Sequence, residues 1–137
     1  MASFHYKHKD HIMTDSEHTF FKTLEGLVGD RYYIFPQIHL GTVVKPNVSW
    51  TPRWSLWRSA FFFSDRYSID FLLCDKNETQ PSIAIELDDK SHMREKRRYR
   101  DAVVAKILRE SNLRLVRFTT DEAGDHALVK LRILTLH

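Results

Sequence analysis

The chemistry that this chain could do is concentrated between Ser82 and His92, Ser-Ile-Ala-Ile-Glu-Leu-Asp-Asp-Lys-Ser-His. Its first half reads as a short buried strand. Side chains alternate across a strand, so Ile83, Ile85 and Leu87 share one face and Ala84, Glu86 and Asp88 the other. If the chain stays extended, Lys90 and His92 join the acidic side. Two acids, an amine and an imidazole then line one ridge. Carboxylates beside an apolar face are costly unless something cationic meets them. The plain alternative is a strand end whose charges are solvated.

A second acid weighs against that alternative. Arg66 to Asp75 is a strand apolar on both sides, as a central strand is, yet Asp70 sits inside it. A carboxylate there demands a partner. Lys76 to Pro81 is a polar turn leading directly into Ser82. Strand, turn and strand make a hairpin, which can set Asp70 beside Glu86. Converging carboxylates near a lysine and a histidine meet the needs of a hard cation: Mg²⁺ takes one or two carboxylates plus water and phosphate oxygens. Such an ion activates water and neutralises charge on a phosphodiester under attack. Asp70 and Glu86 would hold Mg²⁺ or Mn²⁺, and Lys90 or His92 would orient the nucleophile or steady the phosphate.

Cations follow at once. Arg94-Glu95-Lys96-Arg97-Arg98-Tyr99-Arg100 holds five in seven positions, where a nucleic-acid backbone could be tracked. A solvated helix face is the competing explanation. Between about Gly41 and Ser59 stand Trp50, Trp54 and Trp57, with Arg53 and Arg58 interleaved. Aromatics mixed with arginine suit stacking on unpaired bases. The same tryptophans also have the spacing of one packed helical face.

The remaining segments position these residues. Thr14-Asp15-Ser16-Glu17 matches a capping box, opening a helix with Phe20, Phe21, Leu24, Leu27 and Val28 on one face and Gly29 at its end. Glu17 lies at the inner edge of that face, although capping alone explains it. Tyr32 to Leu40 is a β-rich run in which Pro36 argues for an edge strand or a bulge. After the basic run a helix buries Val103, Val104, Ile107 and Leu108, with Asp101 on its first turns and Asn112 closing it. Leu113 to Phe118 alternates as a strand returning after a helix, therefore parallel to its predecessor. Asp121 to His137 reads as one amphipathic helix with Leu128, Leu131 and Leu134 inward. The order is helix, three strands, helix, strand, helix: α/β with a mixed sheet flanked by helices.

Bulk properties bound the rest. At 137 residues the chain is one domain, residues 14–137, behind a polar tail of residues 1–13. His5, His8 and His11 in that tail could meet a transition metal if it were helical, but a mobile tail is the simpler reading. An apolar share of 42% and a charged share of 28% suit a soluble globule. No apolar run nears the ~20 residues that span a bilayer, and the start has no signal-peptide core, so no membrane and a cytoplasmic location are expected. The single Cys74 excludes an internal disulfide and a cysteine-rich zinc site. A net charge of +3 permits a polyanion partner without demonstrating one.

The αβββαβ order, with Asp in the second strand and Glu in the third, resembles the PD-(D/E)XK, or restriction-endonuclease-like, superfamily. Phe35-Pro36-Gln37, Ile69 to Asp75, Ile85 to His92, Arg100-Asp101 and Leu115 to Phe118 together resemble an uncharacterised bacterial domain family within it, similar in pattern to the very-short-patch-repair endonucleases. The resemblance runs from about Thr14 to Phe118, and Glu-Leu-Asp-Asp-Lys-Ser-His is its most specific block. It implies a restriction-endonuclease-like core, Asp70 and Glu86 as metal-binding acids, and Glu17 as the acid often found on the first helix. The superfamily pattern has lysine two residues after the glutamate, where this chain has Asp88. Either Lys90 takes that role, or Asp88 becomes a third metal ligand, or activity is weakened or absent. The expected function is metal-dependent hydrolysis of nucleic-acid phosphodiesters, DNA first. The alternative is a nuclease-fold module, weak or inactive in catalysis, that binds nucleic acid or a partner protein.

Overall fold

A computed structural model describes residues 3–48, 54–88 and 94–135. Trp50, Arg53, Lys90 and His92 lie outside the described residues, as do the side chains of Trp54 and Arg94. The elements are α1 (Asp15–Val28), β1 (Tyr32–His39), α2 (Leu40–Val43), α3 (Trp54–Asp65), β2 (Ser68–Asp75), β3 (Pro81–Asp88), α4 (Arg94–Glu110), β4 (Arg114–Thr119), α5 (Thr120–Ala123) and α6 (His126–Leu134). One sheet runs β1-β2-β3-β4; its first three strands are antiparallel neighbours and β4 is parallel to β3. The architecture is α/β with a mixed sheet flanked by helices, as the sequence implies.

Strand alternation produces the layers. Phe71, Leu73, Ile83, Ile85, Leu87, Val116 and Phe118 pack with Phe20, Leu24 and Val28 of α1 and with Val129 and Ile133 of α6. Phe20 meets Phe71 and Phe118 edge-on, with ring centroids 5.7 and 5.4 Å apart, a favoured aromatic geometry. On the opposite face Leu72, Cys74 and Ala84 pack with Val104 and Leu108 of α4 and with Leu40.

Local chemistry sets the boundaries. Thr14 and Glu17 form the reciprocal capping box of α1, and Gly29 caps its far end. A side chain at Gly29 would meet the Glu25 carbonyl oxygen at 2.4 Å, so glycine is required there by close approach. In the β2–β3 turn, Asp75 accepts the Glu78 and Gln80 amides at 2.7 and 3.1 Å, which closes the hairpin. β1 is an edge strand, and Pro36 sits on it beside an irregularity at Gln37, whose φ is +55°.

Two expectations need correction, the start of α4 and the unbroken last helix. The helical spacing of Trp54 and Trp57 holds in α3, which runs on through Phe61-Phe62-Phe63 to Asp65. It contacts α2, and the Trp57 and Phe61 rings stack at 5.6 Å with 2° between their planes. Helix α4 begins at Arg94, so the basic run forms its first turns rather than preceding it. The last segment is broken at Gly124-Asp125, where Asp125 caps a new helix by accepting the Leu128 amide at 3.1 Å. That restart changes the phase: Val129 and Ile133 are the buried positions and Leu131 is exposed. Residues 3–13 hold no regular element, so His5, His8 and His11 do not share a helix face. No helix among the described residues is long and apolar enough to cross a membrane.

Candidate functional site

The antiparallel register that pairs Phe71 with Ile85 sets Asp70 beside Glu86. Asp70 extends the row of Leu72 and Cys74, and Glu86 extends that of Ala84, so both lie on the sheet face that α4 covers. The two carboxyl groups are in hydrogen-bond contact. Asp70 Oδ2 also accepts the Leu87 amide at 2.7 Å. Both acids predicted from the hairpin are thus in one place.

Glu86 is the deeper of the two, with 5% of its surface exposed. Burial, then the neighbouring Asp70 charge, pushes its pKa to about 8 against the opposing pull of Arg100. Asp70 is also raised, mainly by burial. The hydrogen bonds from Glu86 and the Leu87 amide offset part of that, while the charge of Glu17 adds to it. Near neutrality Glu86 therefore keeps its proton and can donate it to the Asp70 carboxyl.

Arg100 provides the cationic partner. Its Nη2 lies 2.9 Å from Glu86 Oε1, yet the angles of this contact are not those of a hydrogen bond. The oxygen is charge-compensated but lacks an aligned donor. Arg100 is held in turn by Asp101 at 3.1 Å and by the Ser68 carbonyl. On β4, Arg117 pairs in register with Glu86 and donates to the Asp101 carbonyl at 3.0 Å. Arg100 and Asp101 of α4 and Arg117 of β4 so adjoin the dyad in a charged network that sequence reasoning did not foresee. A signal existed: Arg100, Val104 and Leu108 are spaced by four, so Arg100 continues the buried stripe of α4 by one turn.

The other candidates separate. Glu17 serves the capping box, accepts Gln37 Nε2 at 3.0 Å, and lies close enough for its charge to act on Asp70. Asp88, with half its side chain exposed, faces Arg97 Nε at 3.9 Å. Lys96 and Arg98 are exposed on α4, whereas Arg97 and Arg100 turn toward acids. Trp57 lies on α3, on a different element from the dyad.

Two carboxyls and a buried oxygen without an aligned donor are a donor set that suits a hard cation at its smallest. Among the described residues no three of His, Cys, Asp or Glu cluster as ligands, so water and substrate oxygens would complete such a shell. Two clefts open elsewhere. One of about 660 Å³ adjoins Tyr32, Arg109 and Arg114 at the start of β3 and β4, and one of about 340 Å³ lies between α1 and the segment from α5 to the first residue of α6. Neither is lined by Asp70 or Glu86, and the chemistry of the dyad outweighs their size.

Comparison with curated proteins and with solved structures finds no match. A family model described as "protein of unknown function (DUF2726)" matches residues 9–136, almost the whole chain, and the chain belongs to that family.

Proposed function

We propose that this protein is a metal-dependent nuclease that hydrolyses nucleic-acid phosphodiesters, DNA first, in the cytoplasm. The observation that carries the reading is the buried Asp70–Glu86 pair on adjacent strands. It stands where the PD-(D/E)XK resemblance puts the metal-binding acids, within an αβββαβ order that the resemblance also implies. Asp70 and Glu86 would hold Mg²⁺ or Mn²⁺, which supplies water activation and charge neutralisation at the phosphate. Arg100, 2.9 Å from Glu86 Oε1, supplies positive charge beside the pair. Lys96 and Arg98, exposed on the first turns of α4, are placed to meet the backbone of the substrate. Glu17 adds negative charge beside Asp70 and so strengthens the attraction for a cation.

A second reading rests on a specific contact. Arg100 already sits against Glu86, and Asp88 occupies the position of the superfamily lysine. A module that binds nucleic acid or a partner protein, with little or no catalysis, accounts for both.

Incubation with supercoiled plasmid and with single-stranded circular DNA, in Mg²⁺, Mn²⁺ or EDTA, separates the two. The nuclease reading expects cleavage in metal only, lost in Asp70→Asn. Absence of cleavage with either metal contradicts it and leaves the binding module, while equal cleavage in EDTA contradicts the metal dependence.

A further inference from the structure

Helix α3 carries a surface that packing does not explain. Phe62 is 55% exposed, Phe63 38% and Leu56 44%. Arginines lie against this apolar surface: the Arg58 guanidinium is 5.7 Å from the Phe62 ring centre, and that of Arg66 is 5.2 Å from Phe63. Phe62 also packs edge-on against Phe61, and Phe63 against Tyr67, so these rings are held in place rather than free to collapse. The single acid of α3 is its last residue, Asp65, whose carboxylate lies against Gly41 of α2.

We propose that α3 is a docking surface for single-stranded nucleic acid. Phe62 and Phe63 stack on unpaired bases, and Arg58 and Arg66 meet the phosphates. Exposed rings attract any apolar partner, but the interleaved arginines select a polyanion that also presents flat π faces, and unpaired bases are such a partner. A second copy fits less well. Self-complementary packing about a twofold axis would bring these arginines near their own counterparts, and the single acid of the helix, Asp65, is turned against Gly41 of α2. The position agrees with the dyad. Arg66 precedes Asp70 by four residues, so the end of the platform is within about 14 Å of it along an extended chain. Delivery of a strand from platform to dyad rests on the nuclease reading; the binding itself does not.

The test is fluorescence anisotropy in EDTA with the full chain, using a labelled oligothymidylate of about 16 nucleotides and a duplex of the same length. EDTA excludes metal-dependent cleavage, so the outcome is independent of whether the protein cuts. Wild type is expected to bind the single strand more tightly than the duplex. Phe62→Ala should weaken single-strand binding by about five-fold or more. Arg58→Ala and Arg66→Ala should each reduce the slope of log affinity against log salt by roughly 0.7. The Phe62→Ala/Phe63→Ala variant should lose the preference for single strands with an unchanged circular dichroism spectrum. If that variant misfolds, Phe62→Ala decides, because Phe62 is the more exposed ring. Unchanged single-strand affinity in a folded variant, or wild type favouring duplex, overturns the proposal. So does self-association of wild type that Phe62→Ala abolishes, which would assign the surface to a dimer.

Discussion

Glu86 makes the folded chain sensitive to pH in a direction opposite to that of an ordinary salt-bridged acid. Its folded pKa is near 8, above its ordinary value of 4.5, so the native state holds the proton more tightly than the unfolded chain does. Its contribution to stability is full below about pH 4.5 and is lost as pH rises toward 8. Urea midpoints measured at pH 6 and pH 9 should therefore fall at the higher pH, by an energy on the order of a few kcal/mol for this group. Glu86→Gln should flatten that dependence. If the variant keeps the full wild-type slope, Glu86 is not the group that titrates. The same physics says that Asp70→Asn and Glu86→Gln should stay folded, since each replaces a buried carboxyl that is costly to ionise, while each abolishes metal-dependent cleavage. Asp88→Asn and Lys90→Ala resolve the departure from the superfamily pattern. Loss of metal affinity in the first makes Asp88 a ligand, and a greater loss of cleavage in the second gives Lys90 the work of the missing lysine.

At the scale of elements, Glu17 has two duties that can be separated by measurement. Thr14→Ala removes the side-chain acceptor of the capping box and should cost about 1 kcal/mol in chemical denaturation, without touching an acid near the dyad. Glu17→Gln keeps a side-chain oxygen for the Thr14 amide but removes the charge, so cleavage should suffer more than stability. Equal losses in both variants would reduce Glu17 to a cap. The capping box, the edge strand with Pro36 and the parallel return of β4 were legible because each depends on local chemistry or on chain topology. Asp70 stood out because an acid inside an apolar strand has few explanations. Other features resisted for physical reasons. Phe61-Phe62-Phe63 shows no amphipathic period, so the extension of α3 gave no helical signal. Repulsion among the cations of 94–100 obscured the start of α4, whose stability comes from Val104 and Leu108 further along. The inward turn of Arg100 follows from the helix phase but looks like surface charge when counted within a basic run. Asp125 resets the phase of α6 through one hydrogen bond, which an apolar count over 121–137 cannot register.

For the whole molecule, the sheet presents its acids toward α4, and the first turns of α4 present Lys96 and Arg98 outward. Negative charge is thus held inside a cationic rim, an arrangement in which a polyanion approaches and its phosphate meets the acids only with a cation between them. Neutralising Lys96 and Arg98 together should weaken duplex binding regardless of sequence and lower the salt slope by nearly two, or roughly 0.9 per contact. An unchanged slope would make them a solvated helix face.

The most direct test of the account is calorimetric titration of Mn²⁺ into wild type, Asp70→Asn and Glu86→Gln, because a contaminating nuclease cannot imitate it. Wild type should bind the ion and release a proton from the shared pair, and each variant should bind it at least an order of magnitude more weakly while keeping its fold. A wild type that takes up no Mn²⁺, or variants that bind it as well as wild type does, would contradict the assignment of Asp70 and Glu86 as a metal centre.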